Sequence, residues 1–222
     1  MLAELALLFA DGRMPTGSHA HSGGLEAAVD AGLEAFELAG FIAGRLQTCG
    51  LVEAAVAAAA NRAAAAQDRD ALARLDAEAM ARICSPALRD ASAALGRSLL
   101  HTASRVLDEP PRLESYRLRS RCTPRPVALG VAAAAAGLGP LETATVSLHE
   151  DLAGVASAAV KLLPIDAAGA FRCVAALAPQ IERCARTAAE VTSIAALPSV
   201  SAPKLELLSL VHAAQERRLF AT

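Results

Sequence analysis

The chain reads as an all-α protein, a single-domain multi-helix bundle, on two main observations. Hydrophobic residues make up 54% of its 222 positions but aromatics only 3%, so the apolar content is mostly alanine and leucine. Runs such as AAVAAAANRAAAA at 54–66 have the highest intrinsic helix propensity available and almost no β-branched residues, which also favours helices that approach closely. The length is ample for a buried core, and one all-helical domain over 1–222 is expected.

The elements follow from breakers and apolar period. Leu2 to Ala10 reads as a first helix and Gly24 to Gly32 as a second. Glu37 to Ala66 reads as a long third, with Leu38, Phe41, Ile42, Arg45 and Leu46 along one side. Asp68 to Cys84 is charged on one side and belongs at the surface. The next helix starts at Ser85 as N-cap with Pro86 in the first helical position, a well-formed start signal. Residues 108–125 are the only long polar interruption, a loop or short helix connecting two helical halves. Helices resume at Pro126, then over LETATVSLHEDLAGVASAAVKLL until Pro164, then over 166–194 with Pro179 as a kink or break. Residues 203–222 form a C-terminal helix and tail.

Composition excludes several classes. The net charge of −2 carries no strong sign and basic residues are interspersed with acidic ones, so no footprint for nucleic acid is present. The most apolar run, Pro126 to Gly139, is too short to cross a bilayer and contains glycine, so no membrane partner is expected. A signal peptide is not expected either, because the N-terminus lacks a basic segment and Glu4 interrupts its apolar run. Cys49, Cys84, Cys122, Cys173 and Cys184 are scattered and odd in number, the pattern of a reduced, cytoplasmic protein with buried thiols. No Gly-x-x-x-x-Gly-Lys-Ser/Thr pattern occurs, so the chain is not itself a GTPase.

Special residue types concentrate in one loop. Pro15, Gly17, Ser18, His19, His21, Ser22, Gly23 and Gly24 crowd a short stretch between two apolar helices, and Ser22 is a good N-cap for the second. His19 and His21 fall on one side of an extended segment and suit a soft divalent ion such as nickel. With no nearby Cys, Asp or Glu to complete a site, an interface or hydrogen-bonding role is preferred and no metal or cofactor is assigned. Ser18 and Ser22 beside two histidines suggest a nucleophile, but the strand-turn-helix context of a nucleophile elbow is missing and no catalytic residue is assigned.

The string PTGSHAHSGGLEAAV, preceded by LLFADGRM, resembles the N-terminal signature of the UreF family of urease accessory proteins. Three later segments resemble that family in the same order. They are RDASAALGRSLL at 89–100, RPVALGVAAAAAGL with LAGVASAAVKLLP ending at Pro164, and the tail HAAQERRLF at 212–220. Departures are Arg125 where the family has His before Pro, Ala213 after His212, Ile165-Asp166-Ala167 for a Leu-Gly-Gln-Thr run, and Ala221-Thr222 at the end.

The resemblance implies an all-helical, non-catalytic scaffold that pairs with UreD (also called UreH), dimerises, and recruits the GTPase UreG so that nickel reaches the urease apoprotein. It makes the loop and tail binding surfaces, through Pro15, Gly17, Ser18, His19, His21, Ser22, Gly24, Leu25, Glu26, Lys161, His212, Arg218, Leu219 and Phe220. Glu26 in a first helical turn has two readings, dipole stabilisation or partner contact. Lys161 either reaches solvent along an apolar helix or pairs with a partner's acid. Leu219 and Phe220 would be anomalous in water and must dock on this chain's core or, as preferred here, across an interface. The rival classes are a general helical adaptor and a helical metal-binding hydrolase.

Overall fold

Alanine-rich helices bury little side chain, so their stability comes from approaching backbone to backbone, and the architecture is organised by that approach. The computed structural model describes residues 2–108, 110–120 and 122–221, with the backbone alone for Leu2 and Ala3. The described residues form α1 (Leu2–Ala10), α2 (Leu25–Asp30), α3 (Leu38–Arg45), α4 (Leu51–Ala65), α5 (Arg69–Ala81), α6 (Pro86–Val106) and α7 (Pro111–Arg117). They continue with α8 (Arg125–Ala135), α9 (Pro140–Leu162), α10 (Ala167–Ala176), α11 (Ala178–Glu190) and α12 (Pro203–Ala213), and no strand occurs among them.

Helix α4 is central and packs on α8, α9, α11 and α5. Its contact with α8 is so close that a Cβ on Gly130 would lie 2.6 Å from the Ala60 Cβ and would overlap the Ala57 carbonyl oxygen. Gly96 of α6 makes the same kind of approach to the Thr123 carbonyl. Around this seam Leu38, Ile42, Leu46, Leu129, Leu148 and Leu152 are fully buried in one continuous core. Burying a leucine of this size contributes about 2 kcal/mol. Asn61, buried in the seam, donates from its side-chain amide to the Leu138 carbonyl at 2.9 Å and so meets the hydrogen-bonding demand of a buried amide.

Most expected elements are present, with informative differences at their ends. The long third helix is one continuous helical stretch interrupted by a π turn over Leu46–Gly50. Such turns add a residue to the ladder and re-aim the side chains on either side. The Ser85 cap forms as expected, its hydroxyl accepting from the Leu88 N–H. Ser22 does not occupy the cap position of α2, which falls on Gly24 in a left-handed conformation at φ +85°; its hydroxyl accepts instead from the Glu26 N–H at 3.2 Å. Pro179 marks a break, with Leu177 separating α10 from α11. The polar connector contains α7, and α8 begins at Arg125.

One expectation about burial needs correction. None of the cysteines is fully buried: Cys84 is exposed and the other four are half-buried free thiols, because they sit in the π turn, in connecting segments or at helix edges. As expected, the helix in the Pro126 to Gly139 run is too short to span a bilayer, and among the described residues the one helical stretch long and apolar enough is Ala35–Ala65. Half of its most apolar window lies inside the fold, and the helices it contains are the centre of the core.

Candidate functional site

Three glycines shape the loop before α2. Gly17, Gly23 and Gly24 adopt φ of +86°, +64° and +85°, conformations that cost an ordinary residue about 1 kcal/mol or more. Space matters too at Gly23, where a Cβ would lie 2.9 Å from Val155 Cγ2. Thr102 donates to the Pro15 carbonyl at 2.9 Å, Thr16 and Ser18 share a hydrogen bond at 3.1 Å, and Arg45 donates to the Gly23 carbonyl at 2.8 Å. The loop is therefore held from behind by α6 and α3.

The C-terminal segment returns to this loop and closes on Glu26. Its Oε1 accepts from the Leu219 N–H at 2.7 Å, and its Oε2 accepts from the Phe220 N–H at 2.9 Å and lies 2.8 Å from the His212 Nε2. The Ala221 N–H donates to the Ala20 carbonyl at 2.7 Å, and Gln215 donates to Asp30 at 3.1 Å. Lys161 stands 5.3 Å from the centroid of the Phe220 ring, in cation–π range. Burial by itself would raise the Glu26 carboxyl; the Leu219 N–H, the His212 ring and the Phe220 N–H outweigh it and hold the group below its ordinary value.

Beside the clasp a cleft of about 520 Å³ runs between the loop, α4, α9 and α12. Its wall carries two buried arginines. Arg45 grips Asp151 through both carboxylate oxygens, at 2.7 to 3.0 Å, and Arg125 bridges Glu150 at 2.6 Å and Glu53 at 3.2 Å. Burial pushes the Glu53 carboxyl up against the pull of Arg125. His21, half-buried on the same cleft, is held below the usual histidine range by burial, then by the Arg125 charge and by His19. Both arginines remain charged, since their carboxylate partners outweigh the desolvation.

The expected site residues therefore divide. Pro15, His19, Lys161, Arg218 and Leu219 are exposed, and Leu219 and Lys161, both neighbours of Phe220, lie where loop and tail meet. Gly17, Ser18, His21 and Gly24 are half-buried in the loop, and Ser18, His21 and Gly24 line the cleft. Leu25, Ser22, Glu26, His212 and Phe220, expected at a binding surface, are instead buried in this chain. The physical reasons are direct: Leu25 faces the core, the Ser22 hydroxyl is engaged by the first turn of α2, and the other three hold one another. Of the two readings of Glu26 the geometry adds a third, an internal acceptor for the tail. The tail docks on its own chain through Phe220, while Leu219 stays 72% exposed. Lys161 reaches solvent with Phe220 at its side.

Sequence reasoning missed the charge network. Its one visible signal was Arg45, a guanidinium on the otherwise apolar side of a helix, and the Asp151 that it grips lies 106 residues away. Among the described residues no group of three or more His, Cys, Asp and Glu side chains is arranged to hold a metal ion.

Known proteins place this arrangement in context. The model of the UreF family matches residues 34–178, a span that contains the α4–α8–α9 core and both buried arginines. The chain is 39% identical over 218 residues to the urease accessory protein UreF of Mycolicibacterium vanbaalenii, covering 97% of each chain. It is 38% identical over 221 residues to the UreF of Mycobacterium marinum, covering 98% of each. Relatives of that length extend through the loop and the tail as well as the core, so the chain, an all-helical protein with its two ends clasped on Glu26, belongs to the UreF family of urease accessory proteins.

Proposed function

We propose that the chain is a cytoplasmic, non-catalytic scaffold of urease maturation. It pairs with UreD (UreH) through the face formed by loop and tail, dimerises within the complex, and recruits the GTPase UreG for delivery of nickel to the urease apoprotein. Membership of the family and the accessory-protein names of the relatives support this reading. The observation that carries it is the convergence of loop and tail, held together through Glu26 and Ala20, with Leu219 left in water next to Phe220, whose ring Lys161 covers. An exposed leucine fixed by hydrogen bonds to its own backbone is an anchor awaiting a pocket, because water gives it no return for being held in place. One continuous core supports the single-domain reading.

The test is light scattering after size-exclusion chromatography on the chain co-expressed with UreD and UreG. A stable stoichiometric complex is expected, and Leu219→Asp is expected to weaken UreD binding while helicity is retained. Deletion from His212 onward should have the larger effect. Elution of the chain alone, with folded partners present, would overturn the scaffold reading.

A further inference from the structure

A second cleft, of about 360 Å³, lies between α5 and α7 beside the C-terminal end of α4, and Arg69, Arg112 and Arg119 all line it. Its volume falls in the range of small-molecule sites. None of these three guanidiniums has a carboxylate of the described residues within ion-pair distance, and the cleft wall holds a single acid, Asp76. Asp76 is itself engaged: Tyr116 donates to one oxygen at 2.5 Å and Ser120 to the other at 2.9 Å. The balance in the lining is three positive groups against one negative.

An independent observation comes from Gln67, which also lines the cleft. It occupies the position just past α4 with φ +57°, and the Asp68 N–H closes back on the Ala63 carbonyl at 2.9 Å, the pattern of a helix end that calls for glycine. The chain uses glycine at two comparable ends, Gly32 after α2 at φ +97° and Gly137 after α8 at φ +79°. Asp108, just past α6 at φ +58°, departs in the same way, but of the two only Gln67 sets its side chain in the wall of a cleft lined by arginines.

We infer that this cleft binds a small molecule carrying adjacent phosphate groups, with Arg69, Arg112 and Arg119 as its cationic contacts and Gln67 as a neutral hydrogen-bonding one. Guanidinium forks match phosphate oxygens two at a time, and a diphosphate engages three of them where a single carboxylate leaves two unpaired. The site is separate from the loop–tail face and does not rest on the scaffold reading.

The experiment is calorimetric titration of the full chain with inorganic pyrophosphate at low ionic strength. One saturable site is expected, weakened roughly tenfold or more in an Arg69→Gln/Arg112→Gln/Arg119→Gln variant. An Arg105→Gln/Arg172→Gln/Arg183→Gln variant removes the same charge from exposed arginines elsewhere and should bind as the parent does. Gln67→Gly relieves the positive φ, so it should raise Tm while weakening pyrophosphate binding, a pairing that misfolding does not produce. Absence of saturable binding, equal loss in the control variant, or unchanged binding in the cleft variant would each overturn the site, and tighter binding of an acidic peptide than of pyrophosphate would overturn the small-molecule assignment.

Discussion

The α4–α8 seam and the Glu26 clasp hold the same chain together by opposite means. In the seam, contact is made by what is absent: Gly130 and a row of alanines let two backbones meet, and the attraction is summed over many weak contacts. In the clasp, one carboxylate gathers two N–H donors and a histidine ring from a segment that adds few apolar contacts besides Phe220. The first is expected to tolerate no bulk without unfolding, the second to open with the bundle intact. Stability and the proposed partner contact thereby fall to different parts of the molecule.

The largest way to break the comparison is at the seam. Gly130→Val should cost at least about 4 kcal/mol, because the clashing atoms are backbone and Ala60 Cβ and cannot swing aside. Thermal unfolding followed by circular dichroism reads this, and a stable variant would mean that α8 can slide. Next comes the Arg45–Asp151 pair, whose side chains are only 13% and 12% exposed. Arg45→Met should cost about 3 to 5 kcal/mol by leaving the Asp151 carboxylate buried without its partner, and adding Asp151→Leu should recover a large part. A double variant no better than the single would show that Arg45 acts mainly through the Gly23 carbonyl.

The clasp should respond differently. Glu26→Gln is expected to remove about 1 to 3 kcal/mol of local protection, seen as faster amide exchange at Leu219 and Phe220 with little change in Tm. If Tm falls as far as for Arg45→Met, the tail is core after all. The pH dependence has a definite sign. Because the folded Glu26 carboxyl lies below its ordinary value of 4.5, its contribution is complete above that value and is lost as pH falls through the lower folded value. Exchange at Leu219 should therefore quicken, relative to the intrinsic rate, only in acid below about 4.5. The smallest effect belongs to Lys161→Ala, about 0.5 kcal/mol from an exposed cation over the Phe220 ring, detectable in the same exchange profile.

Legibility in the sequence follows the same division. Helix positions were readable because Ser85, Pro86, Asp68 and Pro164 act on their immediate neighbours, and alanine propensity is local. The loop stood out because its proline and glycines carry backbone demands of their own. What could not be read was the company each side chain keeps. Glu26 looked like a helix-dipole residue or a surface contact, since its donors lie 186 to 194 positions away. Arg45 looked like one more member of an apolar stripe until Asp151, 106 positions on, was brought to it.

By itself the sequence determined the all-helical class, most helix starts and stops, the need for close packing, and the signature segments that mark the UreF family, because these rest on propensities and spacings within a few residues. Only the tertiary structure decided that the loop and tail close on one buried carboxylate, that the arginines of α3 and α8 neutralise acids of α4 and α9, and that Leu219 rather than Phe220 faces water. Those outcomes depend on desolvation, and a group's desolvation is set by whatever distant segments pack around it.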